Sequence, residues 1–189
     1  MRKLIVSESL TLDGVYEGLV KMPNEHFQYA GWSEPYASQE QQEYVSKNTS
    51  GEGVMLFGRL TYEHMKAGWS SQTGPVADFM NNMTKYVVSS TLKKPDWKNT
   101  HLLTGNVVEA VRKLKRESDK DIAILGSGIL AQTLMAHDLI DFYTFLVYPL
   151  VLGTGKRFFG DSKIPLKLTE SKAFSSGVIM MNYVPDSKN

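Results

Sequence analysis

Residues 54–65, VMLFGRLTYEHM, place a glycine, a cation and a hydroxyl directly after a short apolar run. If the run is a buried strand and a helix begins after Gly58, free backbone N–H groups and the positive end of the helix dipole lie at the strand's carboxyl end. Gly58 would let a phosphate approach the backbone, Thr61 would donate a hydroxyl hydrogen bond, and Arg59 would pair with a second phosphate. The pattern predicts a phosphate site, although an ordinary strand–helix turn with a solvated arginine explains the same residues.

Two further segments also place glycines or hydroxyls directly after an apolar strand. Residues 123–134, AILGSGILAQTL, run from an apolar strand through Gly126 and Gly128 into a helix, a junction that leaves room for a pyrophosphate but lacks the third glycine of the full dinucleotide fingerprint. Residues 86–94, YVVSSTLKK, end a strand on three hydroxyls followed by two lysines. Each segment alone also fits a turn with satisfied hydroxyls. Ligands gather at the carboxyl edge of an open α/β sheet, so several such junctions together favour a nucleotide site.

Other kinds of chemistry have less support. The histidines, His26, His64, His101 and His137, are scattered and have no carboxylate at metal-ligand spacing, so no metal is expected. The serines lack a nucleophile-elbow motif. The aromatic side chains of residues 16–36 could form a wall against a flat heterocycle, or they could pack the loop onto the domain or a partner subunit. Both interpretations remain open.

Composition excludes several classes of function. Twenty-one Lys and Arg against twenty Asp and Glu leave a net charge of +1, which does not favour nucleic acid or an anionic membrane as a partner. The absence of cysteine excludes disulfides and cysteine nucleophiles and fits a reducing compartment. The first residues are too polar for a signal peptide, and no apolar run approaches the roughly 20 residues of a membrane helix. We therefore expect a cytoplasmic protein.

Strands and helices that alternate along the chain must position these residues. Strands are predicted at 4–10, 54–57, 85–89, 101–103, 121–125 and 141–152, with a C-terminal hairpin over 166–184 that turns at 175–177. Helices are predicted at 34–47, 60–66, 76–83, 107–117 and 129–137. Ser33 and Asn106 are the predicted N-caps of the first and fourth of these helices, and Gly51 and Gly53 close the first. The alternation predicts an α/β fold with a mostly parallel sheet covered on both faces, and a single domain over residues 1–189.

Taken in chain order, these segments resemble the dihydrofolate reductase superfamily. The closer likeness is to the reductase (RibD C-terminal) domain of bacterial riboflavin biosynthesis proteins and its stand-alone relatives. The motifs that carry it are SLTLDG at 9–14, GRLTYE at 58–63, VSS at 88–90, LGSG at 125–128 and PLVLGTG at 149–155. The resemblance spans nearly the whole chain and implies a dihydrofolate-reductase-like three-layer α/β/α fold, with a C-terminal antiparallel hairpin and a homodimeric assembly.

The resemblance also implies NADPH as hydride donor. Arg59 and Ser90 would read its 2′-phosphate, and Thr61 would contact its pyrophosphate. The cofactor-binding residues implied are Leu10, Val15, Gly58, Arg59, Thr61, Ser89, Ser90, Gly126, Ser127, Gly128, Ile129 and Leu130. Asp13 would be the catalytic residue, and the substrate contacts would come from Asp13, Tyr16, Trp32 and Glu43. The proton could come from Asp13, a helix glutamate or water.

The chain departs from the folate-reducing members at three points. The position of their helix carboxylate falls near Gln42, their Pro-Trp loop element is missing, and Ser127 interrupts their run of glycines. Folate is therefore not the expected substrate. The resemblance instead implies an NADPH-dependent reductase of a small planar heterocycle, similar to a pterin or a riboflavin precursor, and riboflavin biosynthesis is the pathway of the family that the chain resembles. The alternatives are a nucleotide-binding module of the same fold without turnover, and an interaction domain that binds no dinucleotide.

Overall fold

The computed structural model describes residues 1–22, 26–49, 53–160 and 163–186. Its strands are β1 (Leu4–Thr11), β2 (Gly53–Gly58), β3 (Lys85–Val88), β4 (Thr100–Leu103), β5 (Asp121–Leu125), β6 (Phe142–Tyr148), β7 (Leu166–Ala173) and β8 (Ile179–Pro185). Its α-helices are α1 (Gln39–Thr49), α2 (Arg59–Trp69), α3 (Pro75–Asn82), α4 (Val107–Glu117) and α5 (Gly128–Met135). A short 3-10 turn occupies Glu34–Tyr36.

The strands form one eight-stranded sheet in the order β4-β3-β2-β5-β1-β6-β8-β7. Strand β2 is parallel to β3 and β5, and β3 is parallel to β4. Strands β7 and β8 form the predicted antiparallel hairpin, and β8 also pairs antiparallel with β6. The prediction of an α/β fold with a mostly parallel sheet and a C-terminal antiparallel hairpin is confirmed.

The chain forms two compact units, and β1 passes from one to the other. The first comprises the described residues of Met1–Ile5 and Glu52–Ile140, and the second those of Val6–Gly51 and Asp141–Asn189. The prediction of one domain over residues 1–189 stays a prediction.

The first unit has a core of aromatic and apolar residues beside β2 and β3. Its buried members are Met55, Phe57, Tyr62, Met80, Val87 and Trp97. On α4, Val108, Val111 and Leu114 are buried, as their helical spacing predicts. The Asn106 side chain accepts hydrogen bonds from the N–H groups of Val108 (3.0 Å) and Glu109 (3.2 Å), so the predicted cap is confirmed.

The second unit has its own core, formed by Trp32, Tyr148, Phe174, Val178 and Met180. The β7–β8 hairpin turns where the sequence predicts, and the N–H of Phe174 donates to the carbonyl of Val178 across the turn (2.9 Å). Strand β6 ends at Tyr148, short of the predicted residue 152. The next residue is Pro149, which has no N–H to offer the strand ladder.

The helix predicted at 34–47 begins later than expected, at Gln39. The Ser33 hydroxyl donates to the carbonyl of Leu19 (2.7 Å) instead of capping a helix. Ser38 supports the start of α1, because its carbonyl accepts from the N–H of Gln42 (3.1 Å). Gly53 opens β2, and Gly51, its predicted partner in closing the helix, lies outside the described residues.

Candidate functional site

Three polar junctions of the first unit follow neighbouring parallel strands. Strand β2 lies between β3 and β5, with Gly58 level with Val88 and Leu56 level with Ile124. The residues that come next, Arg59, Ser89 and Gly126, therefore lie at the same carboxyl edge of the sheet. This edge is where open α/β sheets bind ligands.

The two glycine junctions contact each other directly. The N–H of Gly58 donates to Oγ of Ser127 at 2.9 Å. A Cβ added to Gly126 would lie 3.4 Å from Cγ2 of Thr61, and one added to Gly58 would lie 3.6 Å from Oγ of Ser127. A Cβ at either glycine would therefore make ordinary van der Waals contacts, which places Thr61 and Ser127 directly beside the two glycines.

Ser127 has a left-handed backbone, with φ +65° and ψ +48°. Non-glycine residues seldom adopt this conformation because it costs conformational free energy. The hydrogen bond from the N–H of Gly58 opposes that cost. A hydroxyl that accepts one hydrogen bond keeps its own proton to donate. Ser127 therefore joins the two junctions and can still donate to a ligand.

The N-terminus of α2 is suited to an anion. Gly58 is its N-cap residue and offers no capping side chain, and the first turn carries no acidic residue. The first N–H groups of the helix and its dipole therefore favour negative charge at this end.

Arg59, Ser89 and Ser90 differ in how freely their side chains can contact a ligand. The guanidinium of Arg59 is 41% exposed, and its Nη1 donates to both carboxylate oxygens of Glu63, at 2.9 and 3.0 Å. Oγ of the buried Ser89 accepts from the N–H groups of Thr91 and Leu92 (3.1 and 2.9 Å), so it organises the turn. Ser90 is exposed and is the serine open to a ligand.

Most of the apolar residues implied as cofactor contacts are buried in the protein. Leu10, Val15 and Leu130 are buried, so their side chains belong to the cores, and Gly128 is buried at the start of α5. The side chain of Ile129 is 67% exposed and can meet a ligand.

Asp13, in the second unit, has a carboxylate held by several donors. It accepts hydrogen bonds from the Thr11 hydroxyl (2.7 Å) and from the N–H groups of Leu152 (3.2 Å) and Gly153 (2.9 Å), and Arg157 lies 3.4 Å away. The Thr11 hydroxyl, followed by these backbone N–H groups, lowers the pKa of Asp13 to about 2. A carboxylate that stays ionised at neutral pH is suited to holding two loops together and not to donating a proton.

The other predicted substrate residues occupy different surroundings in the same unit. Tyr16 is half-buried with its ring edge-on to Phe158 (6.3 Å), and burial raises its pKa. Trp32 is buried, donates its indole N–H to the carbonyl of Glu17 (2.7 Å) and packs on Tyr148 (5.1 Å). Glu43 is exposed and accepts from the Gln39 amide (2.8 Å). Trp32 therefore packs the loop onto its unit, while Tyr16 and Glu43 keep partial or full exposure.

Glu8 is a notable residue that sequence reasoning missed. It is 7% exposed, its Oε1 accepts from the N–H of Ser9 (3.0 Å), and its Oε2 has no hydrogen-bond partner. Burial raises its pKa to about 8. The available signal was its place in β1, where it follows Leu4 and Val6 at every second residue on the buried side.

The described residues contain no group of three His, Asp or Glu side chains that could hold a metal ion. None of the helices in these ranges is long and apolar enough to cross a membrane.

The sheet order and the C-terminal antiparallel hairpin give an α/β fold of the dihydrofolate-reductase type. The chain belongs to the RibD C-terminal domain family, whose model matches residues 2–180. The uncharacterized protein YyaP of Bacillus subtilis (strain 168) is 36% identical over 106 residues, 55% of this chain and 56% of YyaP. The match thus spans little more than half of that relative.

Two solved structures share the fold. A putative riboflavin biosynthesis protein from Shewanella sp. PV-4 superposes with a TM-score of 0.68 at 18% identity, covering 97% of this chain and 99% of that one. Dihydrofolate reductase from Enterococcus faecalis, complexed with NADP(H) and RAB-propyl, superposes with a TM-score of 0.65 at 13% identity, covering 98% and 97%. At these identities the likeness concerns the fold.

Proposed function

We propose that this protein is an NADPH-dependent reductase that transfers a hydride to a C=N or C=O group of a small planar heterocycle, similar to a pterin or a riboflavin precursor. The observation that carries the proposal is the contact between the Gly58 and Ser127 junctions at the carboxyl edge of the sheet. Membership of the RibD C-terminal domain family and the dihydrofolate-reductase-like fold support it.

The residues of the first unit fit a dinucleotide. The open N-terminus of α2, with the hydroxyls of Thr61 and Ser127, would bind the diphosphate. Arg59 and Ser90 would bind the 2′-phosphate, which distinguishes NADPH from NADH. Bound here, the cofactor supplies the hydride, and the protein's part is to orient the rings and exclude water.

Residues of the second unit would serve the substrate. Asp13 fixes the loop that follows β1 onto residues 152 and 153 and keeps its charge, so we assign it a positioning role. Tyr16 and Glu43 remain proposed substrate contacts, and buried Trp32 supports the loop that carries Tyr16. Among the helix glutamates, Glu40 accepts from the Ser175 N–H and hydroxyl, which lower its pKa. Since neither Asp13 nor Glu40 holds a proton near neutral pH, we assign the role of proton donor to neither of them.

Three wider assignments belong to the same proposal. A chain without cysteine suits the cytoplasm, the resemblance favours a homodimer, and the family favours a place in riboflavin biosynthesis. Sedimentation at several concentrations tests the dimer. A panel of pterins and ribitylaminopyrimidines, followed by NADPH oxidation, tests the substrate class. A binding module without turnover would saturate with NADPH and oxidise it with no member of the panel.

The first test is fluorescence titration of NADPH and NADH with wild type and Arg59→Ala. The loss of one charge-assisted phosphate contact should weaken NADPH binding by about 1.5–3 kcal/mol and leave NADH unchanged. Arg112→Ala is a matched control, because Arg112 is equally exposed, at 41%, and also pairs with a glutamate on its own helix. Absence of binding by both cofactors, or equal NADPH binding by Arg59→Ala and wild type, would contradict the proposal.

A further inference from the structure

Arg59, the proposed phosphate ligand, already holds an anion. Its Nη1 contacts both carboxylate oxygens of Glu63, which lies one turn further along α2. A carboxylate offers a guanidinium the same kind of acceptor as a phosphate does. Glu63 therefore occupies donor capacity that a phosphate would use.

Glu63 also lines a cavity that contains two lysine side chains. It lines a cavity of about 430 Å³ together with Lys66, Lys94 and Asp96, and Tyr62 and Leu92 form its apolar part. Lys66, three residues further along α2, is a neighbour of Glu63 on the helix surface and is paired with Asp96 at 2.5 Å. The Glu63 carboxylate thus pairs with Arg59, and its side chain lines a cavity that Lys66 and Lys94 also line.

We propose that Glu63 is a specificity-determining residue, an internal anion that occupies Arg59 until a phosphate monoester displaces it toward Lys66 and Lys94. This inference rests on the proposed function, because it takes Arg59 as the ligand of the 2′-phosphate. A phosphate monoester carries nearly two negative charges at pH 7, whereas the carboxylate carries one, so the phosphate is the stronger partner. NADH has no such phosphate and leaves the pair closed.

The strength of the pair suits this role. Arg59 and Glu63 are 41% and 43% exposed, and exposed pairs of this spacing are weak. A weak pair holds the guanidinium in place without blocking a dianion. Glu63 therefore reduces the affinity for the 2′-phosphate without abolishing it.

The experiment measures binding of NADPH, NADH and adenosine 2′,5′-bisphosphate to Glu63→Gln. Both ligands with a 2′-phosphate should bind about two- to fivefold more tightly than to wild type, and NADH should not change. The gain should vanish in the Arg59→Ala background, since Glu63 acts through Arg59. Glu109→Gln, which removes a similar glutamate–arginine pair on α4, is the control and should leave all three affinities unchanged.

Lys94→Gln tests where Glu63 goes. It should weaken NADPH binding in the wild-type background and not in Glu63→Gln. Weaker binding in both backgrounds would show a direct phosphate contact by Lys94 and overturn the displacement toward the cavity.

The failure of this inference is distinguishable from that of the proposed function. If wild type binds NADPH, Arg59→Ala loses it, and Glu63→Gln is unchanged or weaker, Glu63 only positions Arg59 and the inference alone is overturned. If wild type binds neither NADPH nor the bisphosphate, or if Arg59→Ala changes nothing, the proposed function fails as well.

Discussion

Glu8 is an acidic residue on the buried face of β1, where its neighbours Leu4, Val6 and Leu10 are apolar. Its carboxyl is buried, one oxygen lacks a hydrogen-bond partner, and burial raises its pKa from the usual 4.5 to about 8. The folded protein therefore keeps a proton that the unfolded chain releases above pH 4.5. Stability falls as the pH rises from about 4.5 to about 8 and levels off above that, because unfolding releases a proton within this window.

Glu8→Gln should remove this dependence. The amide keeps the shape of the protonated acid without titrating, so the variant should exceed wild type in stability at pH 7 by on the order of 3 kcal/mol. The measurement is urea unfolding at pH 5 and pH 8. Glu43→Gln, which changes an exposed glutamate of the same unit, is the control and should follow wild type. Parallel pH profiles for wild type and Glu8→Gln would show that Glu8 is not protonated in the folded state.

At the scale of elements, the junction of β5 with α5 combines strain with a tertiary hydrogen bond. Ser127 has a left-handed backbone, and its hydroxyl accepts the N–H of Gly58. Glycine at this position would remove the strain and the hydrogen bond, whereas alanine would keep the strain and lose the hydrogen bond. The two substitutions therefore separate the contributions.

We expect Ser127→Ala to be less stable than Ser127→Gly by about 1 kcal/mol, because the two variants differ mainly in the cost of the left-handed conformation. Ser127→Gly should lie closer to wild type. Chemical denaturation of the three proteins gives the order directly. An alanine variant as stable as the glycine variant would mean that the left-handed conformation is not retained.

At the scale of the whole molecule, cofactor binding should appear as stability. A ligand that binds only the folded protein at one hundred times its Kd stabilises it by about 2.7 kcal/mol. For a chain of this length, each kcal/mol raises Tm by roughly 2–4 °C. NADPH should therefore raise Tm by several degrees, and NADH at the same concentration should raise it less.

Differential scanning calorimetry with the two cofactors makes this measurement. The result also separates the two cofactor-binding classes of function from the third class. A reductase and a binding module without turnover both predict the shift. An interaction domain that binds no dinucleotide predicts an unchanged Tm.

Local signals explain what could be predicted. Four local features were predicted correctly, because each depends on residues close together in the chain. They are the cap at Asn106, the helix at 107–117, the strand at 121–125 and the hairpin turn. The same local reasoning misplaced the start of α1. It took Ser33 as a cap, whereas the Ser33 hydroxyl bonds the carbonyl of Leu19, fourteen residues away.

By itself, the sequence determined the order and type of most elements and the polar junctions that end β2, β3 and β5, because local propensities and periodicity encode them. Only the tertiary structure decided that Gly58 meets Ser127, 69 residues away, and that Asp13 binds the N–H of Gly153, 140 residues away. It also decided that Glu8 is buried without a full set of partners. Strand order, burial and pKa depend on contacts between distant segments, and those contacts form only when the chain has folded.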